Sequence, residues 1–243
     1  MLDVRPESRV PSPQSPALAD VHRRIITCNR CPRLRAYCRL IAREKRAAYR
    51  QEIYWGRPVP GFGDERARVL VLGLAPAAHG ANRTGRVFTG DGAGGSGDFL
   101  MRAMHRAGFA SQTTSTRADD GLTLTDAYIA AAVRCAPPGN RPTPGEIAAC
   151  HAHLRDELGA LPRVGAIVAL GRIAFDVCWT LAAERGVRPR PKPRFGHGLV
   201  YEFEGIPAVI ASYHPSRQNT NTGRLTPRML AQVFALARRY APD

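Results

Sequence analysis

Four short apolar runs separated by helical patterns constrain the fold of this chain more than any other feature of its sequence. The apolar runs lie at residues 69–74, 127–133, 166–170 and 208–212. The helical patterns lie at residues 97–107, 143–161, 173–185 and 226–240. Short buried strands that alternate with helices indicate a mostly parallel sheet covered by helices on both faces. The sequence therefore predicts an α/β fold, to which the alternating segment at residues 198–204 could add an antiparallel hairpin.

The predicted organisation is one domain at residues 18–243 after a disordered lead at residues 1–17, which is rich in proline, serine and arginine. A chain of 243 residues with 44% hydrophobic content suits one such domain with a sizeable core. No stretch approaches the roughly 20 apolar residues that span a membrane, and no signal-peptide pattern opens the chain. We therefore expect a cytoplasmic protein that contacts no membrane.

The charge balance indicates a polyanionic partner. The chain has 35 Lys+Arg against 20 Asp+Glu, a net charge of +15. An excess on this scale is typical of nucleic-acid binding, and arginine, which predominates here, suits bidentate contacts to phosphates and bases. Basic tails or a generally basic proteome would produce the same balance, and composition does not separate these explanations.

A long glycine-rich loop at residues 73–91 follows the first apolar run and precedes a helical pattern. Loops at the carboxyl ends of strands are where open α/β sheets bind ligands. The loop carries five side chains suited to a reaction site: His79, Arg83, Arg86, Phe88 and Asp91. Two alternatives stay open from the residues alone, because Asp91 could cap the following helix and His79 could brace the loop.

A second polar loop begins at His214, directly after the fourth apolar run. If the crossovers are right-handed, it lies at the same edge of the sheet as residues 73–91. Side chains that could grip phosphate or enter a groove follow in it: Arg217, Asn219 and Arg224. A lone histidine is more often structural or exposed, but this placement favours a functional role for His214.

Four of the six cysteines form a pattern suited to one metal centre. Cys28 and Cys31 make a Cys-x-x-Cys turn, Cys135 ends the second apolar run, and Cys150 lies in a helical pattern. Four thiolates can hold either a zinc ion or a [4Fe–4S] cluster, and spacing does not separate the two. A redox-active pair or four unrelated core cysteines are the alternatives. A shared centre would attach the N-terminal helical segment to the sheet.

Together the two loops and the cysteines closely resemble the uracil-DNA glycosylase superfamily, most of all its family-5 (type B) members. The matching segments are residues 73–80 (GLAPAAHG), 82–91 (NRTGRVFTGD), 133–140 (VRCAPPGN) and 214–226 (HPSRQNTNTGRLT). The resemblance implies a three-layer α/β/α fold around a four-stranded parallel sheet. It also implies a [4Fe–4S] cluster, with zinc as the second choice, on Cys28, Cys31, Cys135 and Cys150.

The function implied by the resemblance is that of a monofunctional DNA glycosylase, which flips uracil out of DNA and hydrolyses its glycosidic bond in base excision repair. Asp91 would orient the water, His214 would donate to the departing base, and Asn140 would hold the water or the base. Phe88 would stack on the base. The pocket would be completed by Ala75, Pro76, Ala77 and His79.

One departure from better-known members of the superfamily concerns base selection. Many of them carry an asparagine on the second strand that reads the edge of uracil, whereas residues 129–135 here offer alanines in its place. A site without that polar discriminator rejects other bases weakly. We therefore expect excision of hypoxanthine and xanthine as well as uracil.

The expected partner is DNA that contains uracil or another deaminated base, bound by a monomer whose tails could contact a replication or repair protein. Arg83, Arg86 and Arg217 would grip phosphate together with the basic N-terminal segment. A wedge formed by residues 215–224, with Arg224 or Leu225 near the vacated space, would fill the gap that the flipped base leaves in the base stack. The main alternative is a non-catalytic iron–sulfur or zinc protein that binds nucleic acid with the same groove and charge.

Overall fold

The four apolar runs form the parallel centre of a six-stranded sheet in the computed structural model, which describes residues 17–240. The strands are β1 Phe62–Gly63, β2 Val69–Gly73, β3 Ala127–Ala131, β4 Ala166–Leu170, β5 Val200–Tyr201 and β6 Ala208–Ser212. The helices are α1 Leu18–Ile26, α2 Pro32–Glu44, α3 Ala81–Thr84, α4 Ser96–Arg106, α5 Pro144–Gly159, α6 Arg172–Glu184, α7 Arg217–Asn221 and α8 Pro227–Arg239. Two 3₁₀ turns, Ala47–Tyr49 and Pro138–Asn140, complete the described elements.

The strand order is β1-β3-β2-β4-β6-β5, in which β3, β2, β4 and β6 run parallel. The two-residue strands β1 and β5 pair antiparallel at the edges, with Phe62 opposite Ile129 and Val200 opposite Ile210. The four predicted strands form the parallel part of this sheet, and the count of four is corrected to six within residues 17–240. Strand β5 lies in the alternating segment at residues 198–204, for which the sequence predicts antiparallel pairing. Nothing in the sequence indicates β1, because a strand of two residues carries too little periodic signal.

Helices cover both faces of the sheet. Along β2, Val69 and Val71 point into one apolar cluster, whereas Leu70 and Leu72 point into another. Helices α4 and α8 complete the first cluster, and α5 and α6 complete the second. Because both faces are buried, the central strands read as continuous apolar runs rather than as alternating ones.

The order of the strands places the functional loops at one edge. The chain leaves β2 toward β3 on one side and later returns to β4 on the other, so the order reverses between β2 and β4. Ligands of open α/β sheets bind outside the carboxyl ends of the strands at such a reversal. The loops that follow β2, β3 and β6 converge at this edge.

Protein contacts attach the N-terminal helices to the rest of the fold. The His22 ring lies 2.7 Å from the Tyr128 hydroxyl on β3, and Arg33 forms a 2.7 Å ion pair with Glu146 at the start of α5. The attachment of this segment by a metal centre stays a prediction. The predicted lead lies outside the described residues, apart from residue 17. Among the described helices, none is both long and apolar enough to cross a bilayer.

Candidate active site

A cavity of about 360 Å³ opens at the carboxyl edge of the central strands. It is lined by the first predicted loop, the end of β3, the turn after β3 and the segment after β6. Eight of the predicted site residues line it: Ala75, Pro76, Ala77, Phe88, Asp91, Asn140, His214 and Arg217. The other predicted residues do not line this cavity.

Two glycines let the first loop close over this cavity. A Cβ atom at Gly80 would overlap the Asp91 carboxylate, so the chain can approach that group only without a side chain. A Cβ atom at Gly73 would lie 2.6 Å from a ring carbon of Phe88. The glycines thus set where Asp91 and Phe88 sit, which explains why the loop needs small residues at these points.

Asp91 is partly buried in the cavity wall at the start of α4. Burial raises the pKa of its carboxyl above the ordinary 3.8, while a hydrogen bond from the Gly97 backbone N–H and the nearby Arg217 guanidinium oppose the rise. The Arg217 Nη2 atom also lies 3.4 Å from the Asp91 carbonyl oxygen. A carboxylate near a helix N-terminus and a cation stays ionised at neutral pH. It can therefore supply negative charge inside the cavity and also cap α4.

His214 lines the same cavity as Asp91, as a neutral imidazole. Burial lowers the pKa of His214 to about 4, so the ring is uncharged at neutral pH and carries a single N–H donor. The Asn219 side-chain amide donates a 2.8 Å hydrogen bond to the His214 carbonyl, which fixes the backbone after β6. The imidazole ring stacks on Phe88, with 5.8 Å between ring centroids.

Asn140 stands at the exposed rim of the cavity. Gly139 and Asn140 both adopt left-handed backbone conformations, with φ of 59° and 57°. Asparagine tolerates this conformation better than most residues, so the turn after Pro138 presents its amide to the cavity mouth. Ala131 forms part of the cavity wall at the end of β3. Its methyl group offers no hydrogen bond to a base.

Arg83 does not grip phosphate, contrary to the prediction, because its guanidinium is 6% exposed and fully engaged. Its Nε donates to the His79 carbonyl and its Nη2 to the Gly90 carbonyl, both at 2.8 Å. It also pairs with Glu52 and lies 3.9 Å from the Tyr49 ring centroid. Arg83 therefore ties together two points of the first loop.

Arg86 is also buried, which corrects its predicted role in phosphate contact. Its Nη2 lies 2.7 and 2.8 Å from the two carboxylate oxygens of Asp120. Its Nε donates to the Thr89 hydroxyl at 2.9 Å, and its Nη2 also reaches the Ser115 hydroxyl at 3.1 Å. Arg86 thus anchors the first loop to the segment between α4 and β3.

His79 is a brace rather than part of the cavity lining. Its Nδ1 lies 3.1 Å from the Tyr54 hydroxyl, and it is absent from the cavity wall. Burial, with Arg46 and Arg83 nearby, lowers the pKa of His79. The prediction that it contacts the base is corrected, and the alternative role weighed for it, bracing the loop, fits its contacts.

The second loop departs from its predicted roles at two residues and keeps the predicted exposure at a third. The Asn219 amide holds the His214 carbonyl instead of reaching outward. Leu225 is 1% exposed in the core below the sheet edge, so it is no wedge. Arg224 is exposed, with its guanidinium 4.7 Å from the Tyr213 ring centroid, and it stays available for DNA.

Two serines that the sequence reasoning missed also line the cavity. Ser96 opens α4, and Ser216 caps α7 by accepting a hydrogen bond from the Asn219 backbone N–H. The signal for Ser216 was available, since a serine after Pro215 and before a polar turn is an N-cap pattern. Ser96 had no comparable signal, because only the folded loop brings it to the cavity.

The cysteines gather on the opposite side of the first loop. Cys31, Cys135 and Cys150 border one small apolar cluster with Leu34 and Cys38. Burial raises the pKa of Cys150, and interaction with the Cys28 thiolate raises it further. Within the described residues, no three histidine, cysteine, aspartate or glutamate side chains are grouped as they would be around a metal ion.

Comparisons with known proteins agree with this geometry. A family model for the uracil DNA glycosylase superfamily matches residues 60–238. The chain is 49% identical over 226 residues to the type-5 uracil-DNA glycosylase of Mycobacterium tuberculosis (strain CDC 1551 / Oshkosh), covering 93% of this chain and 82% of that protein. It is 51% identical over 217 residues to the type-5 uracil-DNA glycosylase of Thermus thermophilus, covering 89% and 95%. A type-4 uracil-DNA glycosylase of Archaeoglobus fulgidus is 34% identical over 163 residues, covering 65% and 70%.

Proposed function

The chain belongs to the uracil DNA glycosylase superfamily, and on this basis we propose that it is a monofunctional DNA glycosylase that excises uracil from DNA in base excision repair. The observation that carries the proposal is the pairing of a carboxylate, Asp91, with a neutral imidazole, His214, in one cavity. Hydrolysis of an N-glycosidic bond needs both kinds of group, because positive charge develops on the sugar while negative charge develops on the base.

The base enters the cavity after it is flipped out of the stack, which costs a few kcal/mol. Phe88 lines the cavity with its ring held by Gly73 and His214, and it offers an aromatic surface for the base. Pro76 and the flanking alanines form the rest of an apolar wall. Stacking and exclusion of water from this wall offset the cost of flipping.

Bond cleavage then uses Asp91 and His214. The Asp91 carboxylate stabilises the oxocarbenium-like sugar and orients the water that adds to C1′. The single N–H of neutral His214 donates to the oxygen of the departing base, and so stabilises its negative charge. Asn140 at the rim holds the water or the edge of the base. The glycosidic bond breaks, the water oxygen bonds to C1′, and the Asp91 carboxylate accepts the proton that the water loses. The base leaves as an anion and takes a proton from solvent.

The proposal that bases other than uracil are also excised rests on Ala131. A methyl group in the cavity wall makes no hydrogen bond, so the site lacks one means of rejecting bases other than uracil. We therefore propose that hypoxanthine and xanthine are excised as well. A variant with Ala131→Asn would restore a polar reader, and it should improve the preference for uracil over hypoxanthine by about tenfold or more.

We also propose a bound metal cofactor, on the basis of the donor chemistry and the location of four thiols. Cys31, Cys135 and Cys150 border one small cluster, and the Cys28 thiol interacts with that of Cys150. This set fits a [4Fe–4S] cluster in identity and neighbourhood, with zinc as the second choice. For the four thiols to hold one cofactor, the Cys28–Cys31 turn must close onto Cys135 and Cys150. Such a cluster would supply a structural clamp, since hydrolysis transfers no electron.

The glycosylase proposal is tested with labelled duplexes that contain uracil, hypoxanthine, xanthine or thymine, in double- and single-stranded form. Excision leaves an abasic site that breaks under alkali, so strand breaks at the uracil position support the proposal. A protein that binds these DNAs but yields no alkali-sensitive site at uracil or hypoxanthine would instead be the non-catalytic binding protein. We further propose that the enzyme acts as a monomer in the cytoplasm, which sedimentation and fractionation can test.

A further inference from the structure

A second concave surface, rich in arginine, lies outside the candidate active site. It is a groove of about 560 Å³ between helix α2 and the segment that follows the 3₁₀ turn Ala47–Tyr49. We call it the arginine groove, and its chemistry comes from Arg35, Arg39, Arg43 and Arg57, with Trp55 beside them. No acidic residue is among its lining residues within the described chain.

Three of these arginines carry positive charge that no carboxylate neutralises. Arg39, Arg43 and Arg57 are exposed, and none forms an ion pair within residues 17–240. Arg39 and Arg43 lie four residues apart on α2, where like charges repel each other. The Arg57 guanidinium lies 5.8 Å from the Trp55 ring centroid, so an aromatic ring rather than an acid positions it.

Arg35 adds a buried cation at the base of the groove. It is 7% exposed, and its Nη1 donates to the Gly56 carbonyl at 3.1 Å. Its Nε is buried and has no hydrogen-bond partner among the described residues. The Arg35 guanidinium also contacts the Cys38 thiol, so its charge is engaged within the protein. The free positive charge of the groove therefore comes from Arg39, Arg43 and Arg57.

The groove is joined to the active site through the short helix α3. The backbone N–H groups of Trp55 and Gly56 donate to the carbonyls of Arg83 and Asn82, at 2.8 and 3.0 Å. Ala81, on the same helix, lines the candidate active site. One short helix thus contacts both surfaces, and a strand bound in the active site lies within reach of the groove.

We propose that the arginine groove binds the sugar–phosphate backbone of a DNA strand, as a second contact outside the catalytic cavity. The proposal rests on the proposed function for its choice of DNA. Arg39 and Arg43 are about 6 Å apart along the helix axis, far enough to contact separate phosphates. The groove offers no asparagine, glutamine, serine or threonine to read base edges, so binding there is independent of sequence.

The test is a salt series of binding to DNA that contains no uracil, measured by fluorescence anisotropy with the full chain and its Arg39→Gln/Arg43→Gln variant. Each lost phosphate contact reduces the slope of log K against log salt by about 0.9 for duplex and about 0.7 for single strands. The double variant should therefore lose about 1.8 or 1.4 from the slope, and about tenfold or more in affinity at low salt.

The matched control is Arg102→Gln/Arg106→Gln, which removes two exposed arginines at the same spacing from α4. If both double variants lose affinity and slope equally, the groove has no special role and the proposal is overturned. A loss confined to the groove variant supports it. Arg57→Gln, expected to weaken binding about threefold or more, is an independent second variant, and thermal melting verifies folding.

Single-turnover excision of uracil at saturating enzyme separates this proposal from the proposed function. The groove variant should excise at the wild-type rate once DNA is saturated, because its arginines lie outside the cavity. If the groove variant binds DNA as tightly as the wild type, and the wild type excises uracil normally, only the proposal for the arginine groove is overturned. Absence of excision by the wild type overturns the proposed function, while the uracil-free binding data still decide the groove.

Discussion

Phe88 and His214 stack on each other across the candidate active site, with 5.8 Å between their ring centroids and 28° between their planes. Phe88 adopts a left-handed backbone conformation, with φ of 51°. A non-glycine residue held in this region stores strain of about 1–3 kcal/mol, and such strain is concentrated at functional sites. The Phe88 ring covers one face of the His214 imidazole, and burial lowers the pKa of that imidazole to about 4.

Replacing Phe88 with alanine should open the His214 ring to water. The pKa of His214 should then rise from about 4 toward the ordinary 6.5, since burial is what lowers it. Histidine NMR titration measures this shift. Phe203→Ala, which removes a ring packed against Trp179 on the other face of the sheet, should leave the pKa of His214 unchanged. An unaltered titration in Phe88→Ala would show that the ring does not shield His214.

Replacing Asp91 with asparagine should lower the single-turnover rate of uracil excision by about 10²–10⁴-fold, the range typical of a positioned catalytic carboxylate. Affinity for the duplex should stay within about threefold, because the side chain keeps its size and its place beside Gly80. Asp119→Asn, at an exposed position, is the matched control. A rate within tenfold of wild type would remove Asp91 from the mechanism.

Acid should inactivate the enzyme before it unfolds. The pKa of Asp91 lies above 3.8, so the carboxylate gains a proton as pH falls through that raised pKa. His214 gains a proton near pH 4. The ratio kcat/KM should therefore fall as pH decreases through the raised pKa of Asp91, because protonation removes its negative charge. A ratio that stays constant down to about pH 3 would remove the Asp91 carboxylate from the mechanism.

Removing the Arg86 guanidinium with glutamine should destabilise the fold by about 1–3 kcal/mol, because the half-buried Asp120 carboxylate loses its cationic partner and keeps only its backbone N–H donors. Denaturant unfolding measures the loss. Arg117→Gln, which breaks the exposed pair with Asp119, should have little effect. Equal losses of unfolding free energy in the two variants would mean that burial does not determine how much these ion pairs stabilise the fold.

The Arg86–Asp120 pair should also lose its stabilising effect in acid. Burial would raise the pKa of Asp120, but hydrogen bonds from Arg86 and from three backbone N–H groups outweigh it and lower that pKa to about 2. A carboxyl with a depressed pKa stabilises the fold above its ordinary value of 3.8, and this contribution is lost as pH falls toward 2. The stability difference between wild type and Arg86→Gln should therefore shrink over that interval.

Purified protein should be brown, with broad absorbance near about 400 nm, if the four thiols hold an iron–sulfur cluster. Cys150→Ser should lower bound iron and absorbance together, whereas Cys178→Ser, buried in another cluster, should not. A colourless protein that contains one zinc ion per chain would replace iron with zinc. Iron content unchanged by Cys150→Ser would remove that residue from the ligand set.

Much of the candidate site could be predicted from the sequence because its residues lie where strands end. Gly73, Asp91 and His214 follow two apolar runs, and parallel strands bring their carboxyl ends to one edge of a sheet. The family motifs added the roles. Strand β1 and Ser96 escaped prediction because a two-residue strand and a single serine carry no periodic signal, whereas β5 lies in the alternating segment at residues 198–204.

The sequence by itself determined the parallel strands, the loops that follow them, the surplus of arginine and the pattern of the cysteines. All of these are local, since apolar runs, glycines and charges are visible within a few residues. Only the tertiary structure decided which arginines are free. Arg86 is neutralised by Asp120, a residue far from it in sequence, whereas Arg39 and Arg43 form no ion pair with an acid among residues 17–240. Burial and partners are long-range properties, so the charge that contacts DNA could not be assigned before the chain was folded.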